Sequence, residues 1–428
     1  MKKIINDILK EEIYYEKLEN GLSIYYMPKK GFTKKYAILA TDYGSNDLEF
    51  ISENENNKVK FNEGIAHFLE HKMFEQPDGS NAFDKFSKWG ASANAFTNFT
   101  MTAYLFSTTE HFYESLEHLI NYVQSPYFTD ENVEKEKGII EQEIKMYNDN
   151  PDWNVYFNTL KALYVNYPVR IDIAGTVNSI QKITKEELYR CYNTFYDPGN
   201  MALFVVGDLD FSKIMESISK VDNIISSTNK VEKIYPKEPP HVNKKEIVAQ
   251  FPVSIPMFNI AFKDNNIGIN GNELLRKEII TEILIDIIFK KGSILYENLY
   301  MSGLINENFG AGFSSQVNYG FTIISGESKD PKKVKEIILK YIEKYKTEGI
   351  SEDDFNRIKK KKIGNFLKCF DSVGFIANNF LAYKFKNINL LDYIEVIKNV
   401  KFEEVIDRLN SHLNEENCVI SIVNPVKE

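Results

Sequence analysis

Two long stretches of the chain alternate apolar and polar residues with the period of an amphipathic helix. The first runs from His111 to about Tyr147 and breaks near Ser125-Pro126; the second runs from Lys332 to about Phe370 and breaks near Gly349. An apolar, β-branched and aromatic run precedes each, Thr102 to Thr108 in one case and Tyr319 to Ser325 in the other. Each half also closes on a short strand-like run, Ala202 to Val206 and Cys418 to Val423. Between them, Ser226 to Lys245 is polar, contains Pro236, Pro239 and Pro240, and has no sustained period, which predicts a linker. The pattern predicts an α+β fold repeated twice: an N-terminal domain over residues 1–226, a linker over 227–245 and a homologous C-terminal domain over 246–428. At 428 residues the chain is also longer than one hydrophobic core usually sustains.

Composition narrows the class of function. A net charge of −9 argues against a nucleic-acid partner, which calls for a basic face. The run Lys359 to Lys362, with Arg357 just before it, reads as a solvated helix face. Cys191, Cys369 and Cys418 stand far apart, which suits neither a disulfide framework nor a CxxC metal site and fits a reducing compartment. No segment approaches the length of a membrane span, and Met1 to Lys29 lacks the apolar core of a signal peptide. A cytoplasmic protein with no membrane partner is the expectation.

The chemistry is concentrated in His67-Phe68-Leu69-Glu70-His71. On a helix, residues i and i+4 share a face, so both imidazoles can point at one divalent metal while the adjacent carboxylate reaches a water beside it. The order H-x-x-E-H is the inverse of the commoner zinc-protease motif. The stretch Asn62 to Phe74 is apolar almost all round, with Ile65, Ala66, Phe68, Leu69, Met73 and Phe74, so it should be buried. Ionisable groups inside such a helix need partners.

A catalytic zinc usually takes three protein ligands, which leaves a third to be found. Over Asp130 to Asn148, a rotation of about 100° per residue puts Glu136, Ile139, Ile140, Glu143 and Tyr147 on one face, with Glu134, Glu141 and Lys145 opposite. Glu136 and Glu143 therefore sit in an apolar stripe where a carboxylate needs a cation. One of them can be a direct ligand and the other a group that orients a histidine. Phase alone does not rank them, and a salt bridge to a buried lysine is the plainer alternative.

At these residues the chain resembles the insulinase/pitrilysin family of zinc metallopeptidases, which includes the mitochondrial processing peptidases. The resemblance rests on His67 to His71, on Glu136-Lys137-Gly138-Ile139-Ile140-Glu141-Gln142-Glu143-Ile144 and on Gly90-Ala91-Ser92-Ala93-Asn94-Ala95-Phe96-Thr97. It implies two homologous domains arranged as a clamshell around a cavity, the second lacking the metal motif. It implies one zinc per chain on His67, His71 and Glu143, with Glu70 as general base and Glu136 as a supporting acidic residue. It implies that Ser92 to Thr97 is an edge strand that pairs with the substrate backbone, with Asn94 and Ala95 as binding residues.

The implied function is a zinc endopeptidase subunit that hydrolyses short or unfolded peptides, precursor peptides among them. The alternative is a family member recruited as a non-catalytic structural or assembly subunit, against which the complete set His67, Glu70, His71 and Glu143 speaks. One departure bears on partners. Self-sufficient members of the family carry an arginine and a tyrosine in the C-terminal half, on the segment that closes over substrate. Along Leu295 to Asn306 this chain has Tyr300 and Asn306 at those places, and no arginine occurs between Arg276 and Arg357. The expected partner is therefore a homologous, zinc-less subunit, or a second copy of the chain.

Overall fold

The computed structural model describes residues 2–52, 55–221 and 231–426. They fall into two compact units: Met1–Lys145, Asp172–Tyr235 and Lys368–Phe385 form the first, and Met146–Ile171, Pro236–Leu367 and Lys386–Glu428 form the second. The strands in chain order are β1 (Lys2–Asn6), β2 (Glu11–Lys17), β3 (Ser23–Pro28), β4 (Lys35–Thr41), β5 (Glu49–Ser52), β6 (Glu55–Lys60), β7 (Ser92–Thr97), β8 (Thr102–Thr108), β9 (Met201–Gly207), β10 (Val231–Ile234), β11 (Glu246–Phe251), β12 (Met257–Lys263), β13 (Gly310–Ser315), β14 (Gly320–Glu327) and β15 (Cys418–Pro425).

The first unit is built on a seven-stranded sheet in the order β1-β2-β3-β9-β4-β8-β7, and the second on a five-stranded sheet in the order β11-β15-β12-β14-β13. The second order repeats the last five places of the first. In each, one parallel pair (β3 with β9, β11 with β15) is followed by three antiparallel pairs. The α+β duplication expected from the hydrophobic pattern is thus present strand for strand. The second unit repeats the sheet without the H-x-x-E-H motif.

The units are not the two sequence halves. Helix Pro151–Leu163 packs on β11, β12 and β15 of the second unit, and helix Val373–Lys384 packs on β4 and β9 of the first. Each half thus lends the other a helix, and the reason lies in the central strands. All of β9 is buried. Leu203 and Val205 face the main core with the helices, while Phe204 faces the other way onto Phe380, with ring centroids 4.5 Å apart. Phe380 also tilts against Tyr25, and Asn378 donates to the Tyr36 hydroxyl at 2.9 Å. A strand with apolar residues on both faces needs two covers, and the second comes from residues 373–384.

The expected linker over 227–245 is also different in kind. Residues 227–230 lie outside the described residues. Val231–Ile234 forms β10, antiparallel to β5. Further on, the Glu238 carboxylate accepts the backbone N–H groups of Val165, Asn166 and Tyr167 and pairs with Lys263. Its polar composition hid this order because the partners are charges and backbone amides.

Among the described residues no helix is long and apolar enough to cross a membrane.

Phe380→Ala should destabilise the protein by about 3–5 kcal/mol, the usual cost of removing a buried phenyl ring. Urea denaturation measures it, and a cost below about 1 kcal/mol would mean that the lent helix is not part of the first unit's core.

Candidate metal centre

The motif helix is short, Ile65–Lys72, and lies inside the Asn62 to Phe74 stretch that the apolar pattern marks. Its start is set by backbone crowding. Gly64 adopts φ +88°, and a Cβ there would stand 2.3 Å from the Ala174 carbonyl oxygen, so the chain enters the helix only through glycine. Asn62 is tied to the Glu187 carboxylate by its backbone N–H (2.9 Å) and its side-chain amide (2.9 Å). Ile65, Ala66, Phe68 and Leu69 are buried and pack the helix against β7, β8 and helix Lys185–Phe195.

Helix Asp130–Asn148 presents the second half of the site. Its buried face comprises Val133, Glu136, Lys137, Ile140 and Ile144, turned slightly from the face expected by phase, so that Ile139 is exposed and Glu143 sits half-buried at its margin. Glu134 and Lys145 point to solvent, as the phase predicts.

These helices bring His67, His71 and Glu143 together, with one ligand atom from each lying within 4.8 Å of the others. His67 Nε2 is 3.6 Å from Glu143 Oε1, and His71 Nε2 is 3.5 Å from Glu143 Oε2. Such separations are long for hydrogen bonds. They match two ligands about 2.0 Å from a shared tetrahedral zinc, which stand about 3.3 Å apart. The donor set of two imidazoles and a carboxylate fits that ion, and no other such group of three occurs among the described residues. His71 Nδ1 lies 3.0 Å from Glu136 Oε1, which leaves Nε2 turned toward Glu143. The plainer alternative for Glu136 is also partly present, since the buried Lys72 ammonium is 3.8 Å from its Oε2.

Glu70 is buried beside this trio, and the Thr97 hydroxyl donates to its Oε2 at 2.7 Å. Burial pushes the Glu70 carboxyl pKa above its ordinary value, against the lowering effect of that hydrogen bond. Burial likewise pushes His67 down to about 3. For His71 burial acts in the same direction, but the Glu136 hydrogen bond and the negative charges of Glu136, Glu143 and Glu70 outweigh it and raise the pKa. Asn94 and Ala95 lie on β7, the edge strand of the sheet, where Asn94 is exposed and its Oδ1 accepts the Ala95 N–H at 2.9 Å.

Two contributors escaped the sequence reading. Thr97 alternates with Ala93 and Ala95 toward the core, and that period-2 signal was available in the run Ser92 to Thr97. Lys72 carried no such signal, since a lysine directly after the motif gives no sign of burial.

The profile of the insulinase family, peptidase family M16, matches residues 52–177, and that of the peptidase M16 inactive domain matches residues 182–362. An uncharacterized zinc protease of Bacillus subtilis, YmfH, is 43% identical over 99% of both chains. The chain belongs to the insulinase family. Among solved structures, a putative M16-like peptidase from Alicyclobacillus acidocaldarius superposes with a TM-score of 0.94 at 38% identity, covering 97% of this chain and 99% of that one. A protease from Helicobacter pylori shares the fold at a TM-score of 0.84 and 20% identity, covering 97% of this chain and all of that one. The family thus covers both halves, with the metal motif in the first and a domain described as inactive in the second.

Metal binding at this centre should depend on pH through His71. The imidazole has to shed its proton to offer Nε2, so affinity should rise with pH, with a midpoint above the ordinary histidine value of 6.5. Glu136→Gln removes a raising influence, so the midpoint should move down while affinity at high pH falls about tenfold to a hundredfold. Competition against a zinc chelator across pH 5 to 9 measures both, and an unmoved midpoint would count against the Glu136–His71 coupling.

Proposed function

We propose that this chain is a zinc-dependent endopeptidase that hydrolyses short or unfolded peptides, with one zinc per chain held by His67, His71 and Glu143. The observation that carries the reading is the convergence of these three ligand atoms with a buried carboxylate, Glu70, beside them. When bound, the metal supplies Lewis acidity that polarises a peptide carbonyl and acidifies a water. Glu70 takes the proton of that water as its oxygen adds to the carbonyl carbon, then delivers it to the nitrogen as the C–N bond breaks. Burial equips Glu70 for both steps, because a carboxyl with a raised pKa gives up its proton less readily than a solvated one and can carry it between the two atoms. Thr97 fixes Oε2, which leaves Oε1 to handle the proton. The β7 edge offers backbone groups for an extended peptide, and the Asn94 amide would exchange its bond to the Ala95 N–H for one to substrate.

A non-catalytic assembly subunit of the same fold would have no use for a buried, hydroxyl-anchored Glu70 next to three convergent ligands. Glu70→Gln should keep its zinc by elemental analysis and lose peptidase activity about a thousandfold on a fluorogenic peptide. Activity close to that of the parent chain would remove Glu70 from the chemistry.

The reading includes a partner subunit, and the arginines of the second unit support it. Arg276 pairs with Glu404, Arg357 with Asp354, Arg408 with Asp264, and Arg170 donates to the Val165 carbonyl. None is spare to bind a substrate carbonyl. Tyr319 is buried against Tyr167, whereas Tyr300, on helix Ile294–Met301, is 48% exposed. Transition-state stabilisation needs preorganised donors on both sides of the scissile bond. The chain alone should therefore turn over peptides slowly and gain at least about tenfold from a homologous subunit that lacks the metal motif and carries the missing arginine and tyrosine. A lone chain whose rate no such subunit changes, and whose activity falls with Tyr300→Phe, would place the donor within this chain instead.

A further inference from the structure

Lys72, the residue directly after the motif, is fully buried, with none of its side chain exposed. Its ammonium sits 2.6 Å from Glu75 Oε2 and 3.8 Å from Glu136 Oε2. Glu136 in turn presents Oε1 to His71 Nδ1 at 3.0 Å. The four side chains form one line of alternating charge and hydrogen bonds, Glu75–Lys72–Glu136–His71, that ends at a metal-ligating imidazole. A lysine is rarely buried without paired charge, and here both of its partners are carboxylates that would otherwise repel one another.

The surroundings explain why Glu136 needs a cation behind it. A cavity of about 340 Å³ opens against its side chain, lined also by His71, Phe74, Glu75, Asn81 and Lys135. That volume is room for several waters. The His71 hydrogen bond alone has to compete with solvation in this space. The buried Lys72 ammonium, 3.8 Å from Oε2, adds a second attraction that holds the carboxylate where Oε1 meets His71.

We propose that Lys72 is a positioning residue of the metal centre: it holds Glu136 on His71 and so fixes the direction of the His71 Nε2 lone pair. The proposal rests on the reading of His67, His71 and Glu143 as metal ligands. It assigns Lys72 no contact with metal or substrate; its effect passes entirely through Glu136. Charge and reach are what matter, so arginine at this place should serve in part and methionine of similar length should not.

The test is a double-mutant cycle read by metal affinity. Zinc competition against a chelator and the visible spectrum of the cobalt-substituted protein are recorded for the parent chain, Lys72→Met, Lys72→Arg, Glu136→Gln and the Lys72→Met/Glu136→Gln double variant. Lys72→Met should weaken zinc about tenfold or more, within the range seen when outer-shell partners of metal ligands are removed, and shift the cobalt bands. Lys72→Arg should recover most of that loss. The double variant should bind no more weakly than Glu136→Gln alone, because both changes break the same link. Losses that multiply in the double variant, or an unchanged affinity in Lys72→Met, overturn the proposal. Thermal unfolding of the metal-free variants separates these effects from misfolding; should Lys72→Met not fold, the comparison of Lys72→Arg with the parent, alone and on the Glu136→Gln background, reads the same coupling. A parent chain that binds no zinc defeats the metal-centre reading itself, and the Lys72 role with it, whereas a zinc-binding parent with independent losses defeats Lys72 alone.

Discussion

The first unit is organised around a single demand: four consecutive-turn ionisable residues, His67, Glu70, His71 and Lys72, lie on one helix of eight residues, and Glu70 and Lys72 are buried outright. Uncompensated charge in an apolar interior is costly enough to unfold a domain, so every one of these groups dictates something about its neighbours. Glu70 requires the Thr97 hydroxyl, which fixes the end of β7. His71 and Lys72 both require Glu136, which fixes helix Asp130–Asn148 in rotation and depth. Once Glu136 is in place, Glu143 two turns on has little choice but to meet the two Nε2 atoms. His67 is the exception: its Nδ1 is buried with no hydrogen bond among the described residues, so packing rather than an outer partner sets its ring.

The second unit shows how the same sheet behaves once that demand is replaced. Its buried polar cluster centres on Asp264, at the end of β12, which accepts both forks of Arg408 at 3.0 and 2.9 Å and pairs with Lys277 at 3.0 Å. Those three positive contacts hold the Asp264 carboxyl far below the ordinary carboxylate range, against the pull of burial. Thr281 accepts from Arg408, and Thr322 meets His412. Here almost every charge is satisfied by a neighbour of opposite sign, so the cluster is closed. In the first unit one ligand atom each from His67, His71 and Glu143 converges within 4.8 Å of the others. A closed cluster stabilises a domain; an open one with converging acceptors is what a cation requires.

Much of the fold was legible because its signals are local. Periodicity placed the two long helical segments and their breaks, and β8 was marked residue for residue at Thr102 to Thr108. The convergence of His67, His71 and Glu143 was half-legible. The i, i+4 spacing needs only one helix, but choosing between Glu136 and Glu143 needs the relative placement of two, which no single-helix phase contains. The resemblance to a known family supplied that ranking. The exchange of helices Pro151–Leu163 and Val373–Lys384 was invisible for a related reason: an amphipathic face says that a helix needs a cover and not which sheet supplies it. β10 escaped because its order comes from Lys233 and Tyr235 binding Asp42 and Asp47, contacts that a count of apolar residues never registers.

Charge arithmetic at the centre ties its pieces into one account. Glu70, Glu75, Glu136 and Glu143 bring four carboxyl groups, and Lys72 one ammonium, to the region around the two imidazoles. Burial is the first cause of the raised Glu70 pKa, whereas for His71 the Glu136 hydrogen bond and the negative charges of Glu136, Glu143 and Glu70 outweigh burial. A divalent cation beside these carboxylates would offset the negative charges that raise His71 and so favour its neutral form. Proton and metal therefore compete for the His71 imidazole. Were Lys72 absent, Glu75 and Glu136 would face each other with no ammonium between them. Repulsion from Glu75 would then act on the carboxylate that bonds His71 Nδ1. The buried lysine thus separates two carboxylates, and the hydrogen bond to His71 carries that arrangement to the imidazole.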